Sequence, residues 1–273
     1  MPRKFTFGKK AARRWGAGLA GVALTSLGLC GCAGFWDEVT SNDFDVSDFF
    51  SRPNPLLVLH DSTDGDKRAQ ALSTLREPKQ NGGTDQEQDF VVTLLVTAAS
   101  NERQPLCRLK AINSLGHFKD PRAVKGLEDA YYKAATFPTD TAATIRCQAI
   151  TAMGATMNPE AVPILVRFVR QKPVEGTEQE KRQNLDERIA AARALGNFQQ
   201  YQATEALVAV LQNDKDVALR DCAHDSLKTI TGKDLPADGK AWEAFLHENA
   251  GMDLVVKEET PFGKITGWFQ FGN

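Results

Sequence analysis

The chain has 273 residues, with 33 Lys and Arg against 35 Asp and Glu and a formal net charge of −2. Six of those bases fall in the first 14 residues, positions 33–66 hold eight acids against the single base Arg52, and 67–273 is close to neutral. That length suits one or two domains, and the absence of a basic stripe able to neutralise phosphates argues against nucleic acid as a partner.

The chain begins "MPRKFTFGKKAARRW", basic and without an acid, and continues into the mostly apolar "WGAGLAGVALTSLGLCGCAGFW". A basic head, a short apolar core and small residues at the end make a secretory signal, so the remainder is expected to be exported. Leu29-Cys30-Gly31-Cys32 resembles the lipobox of bacterial lipoproteins, which implies cleavage of residues 1–31 and lipidation of Cys32. Cys30 stands where that motif usually has a small non-cysteine residue, and bulky Leu29 makes Cys30 a poor cleavage site. Trp15 to Trp36 spans 22 residues, long enough for an uncleaved anchor, the competing reading. Two thiols without a nearby histidine do not complete a metal shell. Gly16, Gly18 and Gly21 spell GxGxxG, but no strand precedes them, which excludes a dinucleotide loop.

Residues 32–60 form an acidic linker interspersed with Phe44, Phe49 and Phe50, in which Pro53 and Pro55 are expected to bar a helix. It reads as a solvated spacer between a lipid anchor and the domain that follows.

From 61 to 250 one skeleton recurs. "RAQALSTL" begins at Arg68, "RLKAINSLG" at Arg108, "RCQAITAMG" at Arg146, "RIAAARALG" at Arg188 and "RDCAHDSL" at Arg220. The spacings of 40, 38, 42 and 32 residues fall in the range of stacked helical pairs. Ala at the fourth place and Leu or Met four residues later share one helix face and predict a buried stripe. Gly116, Gly154 and Gly196 are expected to end these helices in a left-handed turn. A second helix then starts at "DPRAVKGL" (120), "NPEAVPIL" (158) and "QYQATEAL" (200), with Asp120 and Asn158 as N-caps and Pro121 and Pro159 at the first helical position. Ala123, Ala161 and Ala203 then precede Leu127, Leu165 and Leu207 by four, a second buried stripe.

These motifs resemble HEAT repeats of the PBS-lyase HEAT-like type, which implies an all-α fold, a right-handed α-solenoid of about five helical hairpins. The end units depart from the pattern: "EPKQNGGTDQEQ" interrupts the first, and Lys228 stands where the fifth would have glycine. Trp242, Phe245 and Leu246 read as a cap over the last core edge. Residues 171–187, "QKPVEGTEQEKRQNLDE", read as a mobile polar loop between units, and 251–273 as a tail carrying Phe262, Trp268, Phe269 and Phe271.

No nucleophile motif or HExxH occurs, and the four histidines occupy unrelated repeat positions, so no catalytic residue, metal or cofactor is assigned. Some HEAT-like families are bilin lyases or metal-dependent hydroxylases; here only His247-Glu248 matches the hydroxylases' His-Glu dyads, so an enzyme of that kind is the alternative reading. Cys107, Cys147 and Cys222 are odd in number and far apart, which excludes a disulfide framework and predicts free, largely buried thiols. The recurring arginines are expected to bind acids or helix C-terminal carbonyls between units. The second helices carry Arg122, Lys125, Arg167, Arg170, Gln202 and Glu205 at polar positions, a mixed-charge surface suited to a protein partner. The sequence therefore predicts an exported, lipid-anchored scaffold of the cell envelope, on the extracytoplasmic side, that binds another protein.

Overall fold

A computed structural model describes residues 54–249. The expected signal, Cys32, most of the acidic linker and the aromatic tail lie outside the described residues. Among the described residues the backbone forms eleven α-helices and two short 3-10 turns, with no strand. They are α1 (Pro55–Asp61), α2 (Gly65–Thr74), α3 (Asp85–Asn101), α4 (Pro105–Leu115) and α5 (Pro121–Lys133). Then follow α6 (Thr139–Ala155), α7 (Ala161–Val169), α8 (Glu178–Leu195), α9 (Tyr201–Asn213), α10 (Val217–Thr231) and α11 (Gly239–Glu248). No described helix is long and apolar enough to cross a membrane.

Local chemistry sets the helix starts. Asp120 accepts from the Arg122 amide at 3.0 Å ahead of Pro121, the first residue of α5. Asn158 accepts from the Glu160 amide at 3.0 Å, and Pro159 falls in the turn just before α7. Three expectations fail here, the first being that Pro159 stands at the first helical position. Pro55 does not bar a helix; it begins α1, with Asn54 accepting from the Leu56 amide at 2.9 Å. Proline lacks only an N–H that the first helical turn leaves unused, so it fits that position. Likewise the 171–187 stretch is not all loop, because α8 starts at Glu178. A capping box between Thr177 and Glu180 satisfies its first amides and extends the helix well ahead of Arg188.

The helices pack in two layers. Helices α2, α4, α6, α8 and α10 each lie against the next and form the first layer. In the second, α3 packs on α5, α7 on α9, and α9 on α11, and α3, α5, α7 and α9 also each pack on the first-layer helix that follows. Between α5 and α7 side chains make the join: the Tyr131 and Phe168 rings lie 4.4 Å apart between centroids. Both predicted stripes are buried. Ala111, Ala149, Ala191, Leu115, Met153 and Leu195 in the first layer are wholly inaccessible, as are Ala123, Leu127, Ala161, Leu165, Ala203 and Leu207 in the second. Each Leu or Met side chain removed from water in this way stabilises the fold by about 1.5–3 kcal/mol. Trp242 and Leu246 of α11 are buried, and α11 covers α9 as the expected cap.

The glycines act differently from expectation. Gly116 and Gly196 have φ of −59° and −58°, ordinary right-handed backbone, and Gly154 lies inside α6. What they provide is close approach: a Cβ at Gly154 would sit 2.9 Å from the Ala194 Cα of α8. One at Gly116 would meet the Ala152 Cα of α6 at 3.2 Å. Neighbouring first-layer helices therefore touch through the place where a side chain would be. The left-handed backbone after α6 falls on Met157, with φ of 52°, and at the end of α10 on Gly232, with φ of 64°.

Candidate functional site

The six polar positions predicted for partner binding lie on α5, α7 and α9, Arg170 just past the end of α7, and are all exposed. Four of them are tied to a neighbouring helix of the second layer. Arg122 grips Asp120 with two bonds, 3.0 Å from Nε and 2.9 Å from the terminal nitrogen, and also pairs with Asp89 of α3. The bond from Arg122 holds the Asp120 carboxyl down at about 2, against the opposing effect of burial, with Gln88 adding a further donor. Arg167 pairs with Glu128 of α5 and lies 5.5 Å from the centroid of the Phe168 ring. That bond to Glu128 raises the Arg167 pKa above its ordinary value. Arg170 reaches Glu205 of α9 at 3.3 Å. Lys125 and Gln202 stand exposed on α5 and α9 beside these pairs.

The result is a row of cross-helix pairs that runs over the outside of the second layer. A guanidinium carries five N–H donors. Among the described residues Glu128 engages one nitrogen of Arg167, and Glu205 one nitrogen of Arg170. Donors remain on both arginines for carboxylates or carbonyls brought by another chain.

Three of the five arginines that begin the recurring skeleton bind as expected, with a regularity that the sequence did not show. Arg108 donates from Nε to the Glu102 carbonyl at the end of α3 and from a terminal nitrogen to the Lys133 carbonyl at the end of α5, both at 3.1 Å. Arg188 donates to the Val169 carbonyl at the end of α7 and pairs with Asp214 just past α9. Arg68 bonds the Leu59 carbonyl of α1 at 2.7 Å and pairs with Glu102. Each guanidinium thus joins the C-terminal ends of two successive helices, where unpaired carbonyls and the helix dipole favour a cation. Arg68 also places α1 where a preceding second-layer helix would stand. Arg146 departs from the rule: it lies over the Tyr131 ring at 5.7 Å and 3.6 Å from Glu187.

Two buried carboxylates carry no mark in the sequence. Glu187 accepts from the Tyr131 hydroxyl at 2.6 Å, and burial, followed by this carboxylate, pushes the Tyr131 pKa up. Glu77 accepts from the Lys119 amide at 2.7 Å and from Gln88 at 2.9 Å, tying the segment after α2 to the turn before α5. A sequence signal for either is hard to find, because each sits in a stretch that reads as polar loop.

The three described cysteines are free thiols. Burial is the main cause of a raised pKa in all three, and it takes Cys147 to about 11. Such thiols stay protonated at neutral pH and are poor nucleophiles. No cluster of three or more potential metal ligands occurs among the described residues, and His247 is exposed. A groove of about 1370 Å³ runs between α1 and α3, because α1 has seven residues against the seventeen of α3. Phe90 is left 54% exposed on its wall.

A family model for the PBS lyase HEAT-like repeat matches residues 187–213, the stretch from Glu187 through α9. The match and the all-helical, two-layer packing together support a HEAT-like helical-repeat protein. That repeat type does not distinguish an enzyme from a binding protein. No curated protein matches the chain.

Proposed function

We propose that this protein is an exported scaffold, anchored through a lipid on Cys32, whose right-handed solenoid of about five HEAT-like units holds another protein in the cell envelope. The signal-like N-terminus supports the export and the anchor. The row of cross-helix ion pairs on the second layer carries the binding reading. A partner that meets it finds guanidinium groups already held in place, so little side-chain freedom is lost on association. Both signs of charge are present, which suits a protein surface. Arg122, Lys125, Arg167, Arg170, Gln202 and Glu205 form the contact surface in this reading.

The test is capture of a partner from detergent-solubilised membranes by the full chain. Arg167→Ala with Arg170→Ala is expected to lose most of the captured partner while helicity is kept. Normal capture by that double variant would move the binding surface elsewhere. The anchor is tested separately: Cys32→Ser should abolish lipid labelling and release the chain into the soluble fraction, and retention on the membrane would favour an uncleaved anchor.

A further inference from the structure

Along the second layer each helix meets the next: α3 packs on α5, α5 meets α7 through Tyr131 and Phe168, α7 packs on α9 and α9 on α11. The other flank of α3 has the short α1 beside it. The C-terminal ends of α1 and α3 come together at Arg68, which bonds the Leu59 carbonyl at 2.7 Å and pairs with Glu102 just past α3. Helix α1 has seven residues against seventeen, so it falls about 15 Å short of α3 in length, and the shortfall lies at its N-terminal end. Asn54, ahead of Pro55, is extended with ψ of 118°. A residue before proline is disfavoured in the helical region, so α1 is not lengthened backwards by a continuous helix.

The space left over is the groove of about 1370 Å³. A helix about 10 Å across, rising about 1.5 Å per residue, fills about 120 Å³ per residue, so the groove has room for about three turns. That agrees with the ten residues by which α1 is shorter than α3. On α3, Phe90, Leu94, Thr97 and Asn101 line the groove at spacings of four, three and four, one stripe of that helix. Leu59 of α1 and Leu72 of α2 add apolar surface. The rim is charged unevenly. Asp85 and Asp89 stand at the N-terminal end of α3, with side chains 87% and 70% exposed, and Arg103 lies beyond its C-terminal end.

We propose that this groove docks an amphipathic helix of about three turns from another protein. Its apolar residues recur at i, i+3 or i+4 and i+7 and meet the Phe90 stripe. A lysine or arginine lies at the end beside Asp85 and Asp89, as charge complementarity requires. Helix polarity favours the direction of α3, with the N-terminal amides near those two acids and the C-terminal carbonyls near Arg103. Of the groove's lining, Asp89 alone also pairs with a residue of the exposed row, Arg122, so either reading can fail without the other.

Site-specific photo-crosslinking of the full chain in solubilised membranes tests the docking. A photoreactive phenylalanine analogue replaces Thr97 in one variant and Tyr201, exposed on α9, in a control. Mass spectrometry of the Thr97 adduct should find a segment of another protein with apolar residues at helical spacing and a base at one end, absent from the control. Adding Phe90→Asp should lower the adduct yield by about tenfold, as loss of an aromatic anchor does, with Tm unchanged. An adduct to this chain itself, to a second copy, to lipid or to a segment without that pattern would overturn the proposal. So would no adduct above the control, or a yield indifferent to Phe90→Asp. Phe90 and Thr97 are both exposed, so neither substitution reaches the core.

Discussion

Arg188 and Arg167 each pair with one carboxylate on or just past a neighbouring helix, yet their surroundings are opposite. The side chains of Arg188 and Asp214 are 6% and 13% exposed, whereas those of Arg167 and Glu128 are 53% and 25% exposed. Burial pushes the Asp214 carboxyl up, but the Asp216 amide, the Arg188 guanidinium and the Lys215 amide outweigh it and hold the pKa below the ordinary range. Water surrounds the Arg167 pair and screens it. One pair therefore joins the layers together, while the other is a water-screened pair on the surface of the second layer.

The sharpest way to break this contrast is to remove one member of the buried pair. Arg188→Ala leaves the largely buried Asp214 carboxylate without its counter-charge, held only by backbone amides, and is expected to destabilise the fold by about 3 kcal/mol in urea unfolding. A loss no larger than that of a surface variant would show that the end of α9 reorganises freely.

Next in size is the contact that lets the first layer close. Gly154→Val places a branched side chain against the Ala194 backbone of α8 and should lower stability by about 1–3 kcal/mol, read as a fall in Tm. A neutral result would mean that α6 and α8 can separate without penalty.

Asp120 lies between the two extremes, because its side chain is 11% exposed and that of its partner Arg122 is 45% exposed. Its folded-state pKa of about 2 lies below the ordinary 3.8, so its contribution is complete above the unfolded value and is lost as pH falls from about 4 towards 2. With screening at Arg122, that contribution is about 1 kcal/mol. Denaturant midpoints measured down the acid limb should show it, and Asp120→Asn should flatten that part of the profile. An unaltered acid limb would remove Asp120 from the acid response.

The smallest effect is expected from the exposed row. Arg167→Ala and Arg170→Ala should each change unfolding free energy by no more than about 0.5 kcal/mol. A drop of several kcal/mol would place these pairs with the buried ones and undo the contrast.

Local chemistry makes much of the fold legible in the amino-acid order alone. Ala and Leu four apart, repeated at near-regular intervals, define apolar stripes whatever lies around them, and every one is buried. Asp120 ahead of Pro121 marks a helix start because capping involves only adjacent residues. Pro55 misled because a proline looks the same at a first helical position as in a spacer, and the difference depends on what α1 packs against. The 171–187 stretch misled because a solvated helix with little apolar periodicity resembles a loop in sequence.

For the candidate site, the sequence supplied which residues are polar and face outward. It could not supply their pairing, since Arg167 with Glu128 and Arg170 with Glu205 join residues 39 and 35 positions apart. The glycines show the same division. Their places after the Leu or Met were plain in the repeat, but a glycine that frees φ and a glycine that admits a neighbour read alike in one dimension. Only the approach of α6 to Gly116 and of α8 to Gly154 decides that the missing side chain, and not the backbone angle, is what these positions require.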